Sequence, residues 1–140
     1  MTKEEQIESL VSKAVCYGLS GSEGLACTPI KDLVAQYNGV GPEWLNSRLP
    51  DVAKRVTDYC SIIEPAILIH DWRFSKSDGT RQSFNLANME LRDNINKIAR
   101  IQYPSMILSK QWWRIRATGR LFFDACNDFG WTAWIDGWER

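Results

Sequence analysis

A helical spacing of apolar residues recurs along this sequence and constrains its fold more than any other feature. Residues three and four positions apart share one face of a helix, whereas a half-buried strand would alternate strictly between apolar and polar residues. The sequence contains no run of such alternation long enough to predict a strand, and no internal repeat. It therefore predicts an all-α protein, a small single-domain helical bundle that spans residues 1–140.

Capping residues and helix breakers set the predicted limits of the helices. Thr2 and Glu5 form a capping box, and residues 20–24 end the helix that this box begins. Thr28 with a proline after it predicts a second start. Pro65 either kinks a helix or begins a new one. Together these signals predict helices over residues 3–18, 29–37, 52–63, 66–74, 81–102 and 105–128, with Gly130 as the C′ residue at which the last one ends.

Charge and cysteine content exclude several classes of function. Seventeen basic and seventeen acidic residues cancel, so the whole molecule offers no general attraction to nucleic acid or to anionic membranes. No apolar run reaches the ~18 residues of a membrane span, and the polar, acidic N-terminus is unlike a secretory signal. Four widely spaced cysteines and one histidine predict reduced thiols and no zinc site. We expect a cytoplasmic protein without a transmembrane segment.

The polar residues with the clearest chemical meaning lie on two neighbouring predicted helices. A short turn before Thr80 predicts an antiparallel helical hairpin, and His70 and Asn88 fall on its facing apolar stripes, about one turn apart. Two polar groups on such stripes should contact each other, because each left buried and unpaired would cost ~1–3 kcal/mol. Asp71, about 100° further round its helix, is expected to face a loop that contains Gly39 and Gly41.

This arrangement suits ester hydrolysis. A neutral His70 can accept a proton from water on one nitrogen while Asn88 orients its other N–H, so these two are the candidate catalytic residues. The Asp71 carboxylate and the loop carbonyls of Gly39 and Gly41 suit a hard cation such as Ca²⁺, which would polarise an ester carbonyl. The alternative is architectural, in which His70 and Asn88 only fix the register of the hairpin.

Several segments add a resemblance to these inferences. In combination they resemble a group of small phage and prophage proteins of unassigned role, over roughly residues 37–134. Those proteins in turn resemble phospholipase A2-like domains, in which a glycine loop binds calcium and a His-Asp dipeptide supplies the base and a metal ligand. The segments that carry the resemblance are residues 37–44 (YNGVGPEW), 64–71 (EPAILIHD), 84–88 (FNLAN), 94–95 (NI), 122–125 (FFDA) and 129–133 (FGWTA).

Carried over residue by residue, the resemblance implies a calcium-dependent phospholipase. His70 would be the base, Asp71 the calcium ligand, and Gly39 and Gly41 the calcium loop, with phospholipid as the substrate. Asn88 stands where the phospholipase pattern has an aspartate, and Phe74 where it has a tyrosine. These departures leave a second reading open: a catalytically silent accessory protein in the host cytoplasm that binds and inhibits a host or defence protein.

Two further features leave alternatives open. The segment 110–116 (KQWWRIR) with Arg120 interleaves basic and aromatic residues, which is typical of surfaces that bind phosphates or bases. We favour an ordinary amphipathic helix over a nucleic-acid site, with Trp112 and Ile115 in the core and the arginines in solvent. Three of the seven tryptophans fall in the last ten residues, where they form either an exposed aromatic patch or part of the core.

Overall fold

The computed structural model describes residues 1–37, 60–104 and 109–139 of the chain. Within these ranges the chain forms helices and no strand, which confirms the all-α prediction. The glycines of the expected calcium loop, Gly39 and Gly41, lie outside the described residues. The described helices are α1 (Lys3–Cys16), α2 (Ser22–Ala26), α3 (Ile30–Gln36), α4 (Cys60–Ser75), α5 (Arg81–Gln102), α6 (Lys110–Phe129) and α7 (Trp131–Glu139).

The N-terminal capping box is present as predicted, but the helix it starts is shorter than expected. Thr2 Oγ1 accepts from the Glu5 amide, and the Glu5 carboxylate accepts from the Thr2 amide, each at 3.1 Å. Helix α1 ends at Cys16 because the chain turns at Gly18, whose φ is +63°. The expected break over residues 20–24 is wrong in part, since α2 begins at Ser22 directly after the turn.

The start of the next helix differs by one residue from the prediction. Pro29, and not Thr28, occupies the N-cap position of α3. The Thr28 hydroxyl instead donates to the Gly24 carbonyl at 3.0 Å and so satisfies the C-terminal end of α2. A threonine next to two helix ends can cap either of them, and here the preceding helix uses it.

Helix α4 runs through Pro65 without ending, so a helix that starts at Ala66 is wrong. Proline removes one amide donor from the helix interior. The four residues that follow Pro65, residues 66–69, are all at most 1% exposed, and burial of one large aliphatic side chain contributes ~1.5–3 kcal/mol. This burial offsets the lost hydrogen bond and keeps the helix continuous up to His70.

Helices α5 and α6 form an antiparallel pair whose register can be read from three contacts. Asn88 meets Asn127, Arg92 meets Phe123, and Gly119 lies directly against Ile95. Helix α4 packs on α5 and on α1, and the shared core draws side chains from each of these helices. Its fully buried large members are Ile7, Leu25, Leu33, Ile63, Ile67, Leu68, Ile69, Leu91, Ile95 and Phe122.

Gly130 does not end the helical part of the chain. Helix α6 ends at Phe129 with Gly130 as its C-cap, and the φ of Gly130 is −82°, in the right-handed region and not in the left-handed one that glycine often adopts at a helix end. A Cβ at this position would lie 2.5 Å from the Cys126 carbonyl oxygen, which explains why a glycine is needed without a left-handed turn. The chain passes through it into α7, which begins at Trp131.

The C-terminal tryptophans on helix α7 differ in burial. Trp134 is buried, its ring centroid 5.1 Å from that of Phe74, and its indole Nε1 donates to the Thr80 carbonyl at 3.0 Å. Trp138 is 59% exposed. The tail therefore contributes one core tryptophan, which covers the turn end of the α4–α5 hairpin. Of the described helices, none is long and apolar enough to cross a bilayer.

The contact between Gly119 and Ile95 generates the first prediction. In an open position Gly119→Ala would stabilise α6 by about 1 kcal/mol, because alanine favours the helix. Here the new Cβ would lie 2.8 Å from the Ile95 Cγ2 methyl and 3.4 Å from Ile95 Cβ, and a β-branched side chain has little freedom to move. We expect Gly119→Ala to destabilise the protein by about 1–2 kcal/mol in urea unfolding. A stabilised variant would contradict the close approach of α5 and α6.

Candidate functional site

The turn between α4 and α5 positions the candidate residues. Asp78 Oδ1 accepts from the Thr80 amide at 2.9 Å and Asp78 Oδ2 from the Ser83 hydroxyl at 2.7 Å, so the turn is tied to the first residues of α5. These hydrogen bonds to its ionised form lower the pKa of the Asp78 carboxyl. Gly79 has φ +74°, which a glycine adopts without strain. The turn thus holds α4 and α5 in one antiparallel register.

That register brings His70 and Asn88 into contact, as the facing stripes predicted. His70 Nε2 lies 2.9 Å from Asn88 Oδ1, and both side chains are buried, at 5% and 0% exposure. The Asn88 amide nitrogen donates to Asn127 Oδ1 at 3.0 Å. The three polar side chains therefore form a hydrogen-bonded chain that links α4, α5 and α6. Their roles in catalysis remain predictions.

Asn127 is a member of this hydrogen-bonded chain that the sequence did not predict. It stands beside the core residues Phe122 and Cys126 on α6, and it is only partly buried. The sequence did indicate that Asn88 needs a second hydrogen-bonding partner. Its buried amide carries one acceptor and two donors, and one histidine cannot satisfy them all. A second partner for Asn88 had to come from another helix, but the sequence did not say which one.

The direction of the hydrogen bonds fixes the proton on the His70 ring. Because the Asn88 nitrogen donates to Asn127, its oxygen is the atom that faces His70 and must accept. His70 Nε2 is then the protonated nitrogen of the neutral ring, and Nδ1 carries the lone pair. Nδ1 is therefore the nitrogen that can accept a proton from water.

Burial keeps His70 in the neutral form. Desolvation lowers the pKa of His70 to about 4, and the hydrogen bond to Asn88 and the negative charge of Glu90 only partly oppose that effect. The aromatic ring of Phe74 lies 4.4 Å from the imidazole centroid, and Phe122 presents an edge at 6.2 Å. At neutral pH the imidazole is a base that is always unprotonated but weaker than an exposed histidine.

Glu90 is held in place by a second set of hydrogen bonds between α4 and α5. Its carboxylate accepts from Arg73 Nε at 3.0 Å and from Arg73 Nη2 at 3.1 Å, and it also accepts from the Ser20 hydroxyl at 2.8 Å. The pair lies close enough to His70 for the charge of Glu90 to be felt at the ring. Arg73 balances that charge, which is consistent with the low pKa of His70.

Asp71 was expected to face Gly39 and Gly41, and these glycines lie outside the described residues. The neighbour that the structure does describe is Cys126 on α6, whose pKa is raised well above its ordinary value by burial and by the nearby Asp71 charge. Asp71 itself is partly buried. Within residues 1–37, 60–104 and 109–139, no three His, Cys, Asp or Glu side chains gather into a metal site.

Comparison with known protein families, with curated proteins and with solved structures finds no significant match to this chain. The assignment of the site therefore depends on its own geometry. That geometry consists of a buried neutral imidazole, two amides that fix its tautomer, and a carboxylate on the next residue of α4.

The pKa of His70 predicts how stability depends on pH. The folded pKa of about 4 lies below the ordinary value of 6.5, so the unfolded chain takes up a proton first as the pH falls. The stabilisation is complete above pH ~6.5 and is lost as the pH falls towards ~4. We expect the free energy of unfolding to drop by about 2 kcal/mol between pH ~7.5 and pH ~5 from this residue.

Because the chain has a single histidine, the effect can be assigned directly. Urea unfolding of His70→Gln over the same pH range should lack this drop, while the carboxylates contribute equally to both proteins. In wild type, the ¹⁵N spectrum of labelled histidine should report one ring with a proton on Nε2 and no titration above pH ~5. A ring that titrates near its ordinary pKa would contradict the buried neutral state.

Proposed function

We propose that this chain hydrolyses (phospho)lipid esters, with His70 as the general base. The observation that supports this most directly is the 2.9 Å contact between His70 Nε2 and Asn88 Oδ1. A general base needs one nitrogen held and the other available, in the neutral form, at the working pH. The His70–Asn88–Asn127 chain meets the first requirement, and burial of the ring meets the requirement for neutrality.

The proton movements of the proposed reaction can be written for this site. His70 Nδ1 accepts a proton from a water molecule as the water oxygen attacks the ester carbonyl carbon. A positive charge develops on the ring during this step. The hydrogen bond to Asn88 orients the imidazole but adds no countercharge. The proton then passes from Nδ1 to the leaving alkoxide as the ester bond breaks, which returns His70 to its neutral form.

Calcium belongs to the same proposal through Asp71. A carboxylate is the kind of hard oxygen ligand that Ca²⁺ takes, and Ca²⁺ needs 6–8 such oxygens. Asp71 fits as one of them, since it follows His70 directly and is partly buried. The other ligands in this proposal are the carbonyls of Gly39 and Gly41 and water. When bound, the ion would polarise the ester carbonyl and stabilise the negative charge on its oxygen.

A second candidate function has its own support. Asn88 is neutral and supplies no countercharge to a protonated His70, and the charge of Glu90 only partly opposes the effect of burial. The low pKa of the ring is what a purely structural histidine would have. In that case the chain is a silent accessory protein that binds and inhibits a host or defence protein. Its exposed tryptophans Trp113 and Trp138, at 52% and 59%, offer contact area of the kind that is enriched in binding hot spots.

The hydrolase is tested by an assay on phosphatidylglycerol vesicles, with and without calcium. We expect calcium-dependent release of fatty acid by wild type and a loss of at least about 100-fold in His70→Gln, because general base catalysis contributes ~10²–10⁴-fold. Asp71→Asn should lose calcium binding in calorimetric titration, whereas Asp136→Asn, a matched change at an exposed position of α7, should retain it. Wild type that neither binds calcium nor releases fatty acid would favour the silent protein.

Asn88→Asp separates the two functions more sharply. A carboxylate in place of the amide would place a negative charge next to the His70 ring, raise its pKa and stabilise the imidazolium. If the site is catalytic, we expect hydrolysis by Asn88→Asp to rise several-fold at neutral pH. If His70 is only structural, the variant should change stability and its pH dependence but leave the vesicles intact.

A further inference from the structure

A groove between α5 and α6 gathers positive charge away from the histidine. We call it the arginine groove: a hollow of about 350 Å³ whose lining side chains come from both helices. Three of its five lining residues are arginines. The full set is Arg92, Asp93 and Asn96 from α5, and Arg116 and Arg120 from α6.

Two of these arginines are held in place by aromatic rings. The Arg92 guanidinium carbon lies 4.8 Å from the ring centroid of Phe123, and that of Arg116 lies 5.0 Å from the ring of Trp112. A guanidinium stacked on a ring has already lost part of its rotational freedom, so it loses less when it binds a ligand. The groove therefore presents two preordered cations.

The carboxylates near the groove leave donors available. Asp93 contacts Arg92 Nε at 3.5 Å, and Asp124 contacts Arg120 Nε at 3.2 and 3.3 Å. Both of these contacts are made by Nε, and within the described part of the chain no carboxylate lies within ion-pair distance of Arg116. Guanidinium Nη atoms in a planar fork match the oxygens of a phosphate group.

An exposed tryptophan lies on the same face of α6. Trp113 precedes Arg116 by three residues and Arg120 by seven, a spacing that places all three along one side of the helix. Its side chain is 52% exposed, although its neighbour Trp112 is buried. A flat aromatic surface next to phosphate-binding cations is the combination that binds the base and the phosphate of a nucleotide.

We propose that the arginine groove binds the phosphate group of a small phosphorylated ligand of nucleotide size. The volume lies in the lower part of the ~300–1,000 Å³ range of small-molecule sites. Zero net charge on the chain argues against a general polyanion surface, so the attraction is local to this groove. The proposal does not depend on hydrolysis at His70.

Calorimetric titration of the full chain with inorganic pyrophosphate and with ADP tests the groove. We expect saturable binding of both that weakens as the salt concentration rises. Arg116→Gln with Arg120→Gln should weaken binding at least about tenfold, because two charge-assisted hydrogen-bonding groups are lost. Arg114→Gln removes one positive charge from an exposed position on another face of α6 and should leave binding unchanged.

Two further comparisons distinguish a nucleotide from phosphate alone as the ligand. Tighter binding of ADP than of pyrophosphate, lost in Trp113→Leu, would identify a nucleotide; equal binding, insensitive to Trp113→Leu, would identify phosphate alone. No saturable binding of either probe, or an equal loss in Arg114→Gln, overturns the proposal. Much tighter binding of a twelve-residue oligothymidylate, or binding to phosphatidylglycerol vesicles alone, also overturns it, in favour of a nucleic-acid strand or a membrane.

Discussion

The described fold depends on the hydrogen-bonding needs of two asparagines buried on α5. Asn88 and Asn94 are 0% and 2% exposed, and an amide left unsatisfied at such depth would cost ~1–3 kcal/mol. Asn88 is satisfied by His70 from α4 and by Asn127 from α6. Asn94 accepts from the Ser20 amide at 2.9 Å and donates to the Ser20 carbonyl at 3.0 Å. One helix thus specifies where three other parts of the chain must lie.

This dependence explains which parts of the structure were predictable from the sequence. Helix type and the buried stripe of α5 follow from spacing alone, and the contact between His70 and Asn88 follows because two polar groups on facing stripes have few other partners. The capping box at Thr2 is likewise local. Each of these inferences needs only the residues of one helix or one hairpin.

The features that were missed depend on contacts distant in sequence. The local preference of Pro65 left two alternatives open, a kinked helix or a new one, and the core that buries residues 66–69 keeps the helix continuous. Gly130 ends α6 as expected, but the helix that follows it and its close approach to the Cys126 carbonyl were not predicted. Asn127 could not be assigned because the register of α6 against α5 is set by packing at Gly119, which no local pattern encodes. Gly39 and Gly41, which the sequence predicts as calcium ligands, lie outside the described residues.

The candidate site illustrates a conflict between stability and reactivity. The burial that orders the His70–Asn88–Asn127 chain also lowers the pKa of His70 to about 4, which weakens it as a base. A countercharge would restore basicity, but a buried carboxylate in place of Asn88 would need further hydrogen-bonding partners of its own. The neutral amide of Asn88 therefore favours the stability of the fold over the basicity of His70.

Cys126 offers a consequence of a different kind. Burial and the adjacent Asp71 charge hold its thiol in the protonated form, so alkylating reagents have no thiolate to react with while α4 and α6 stay together. Cys16 and Cys27, both exposed, would react at once. The rate at which Cys126 is labelled therefore measures how often thermal fluctuations separate α4 and α6 around His70.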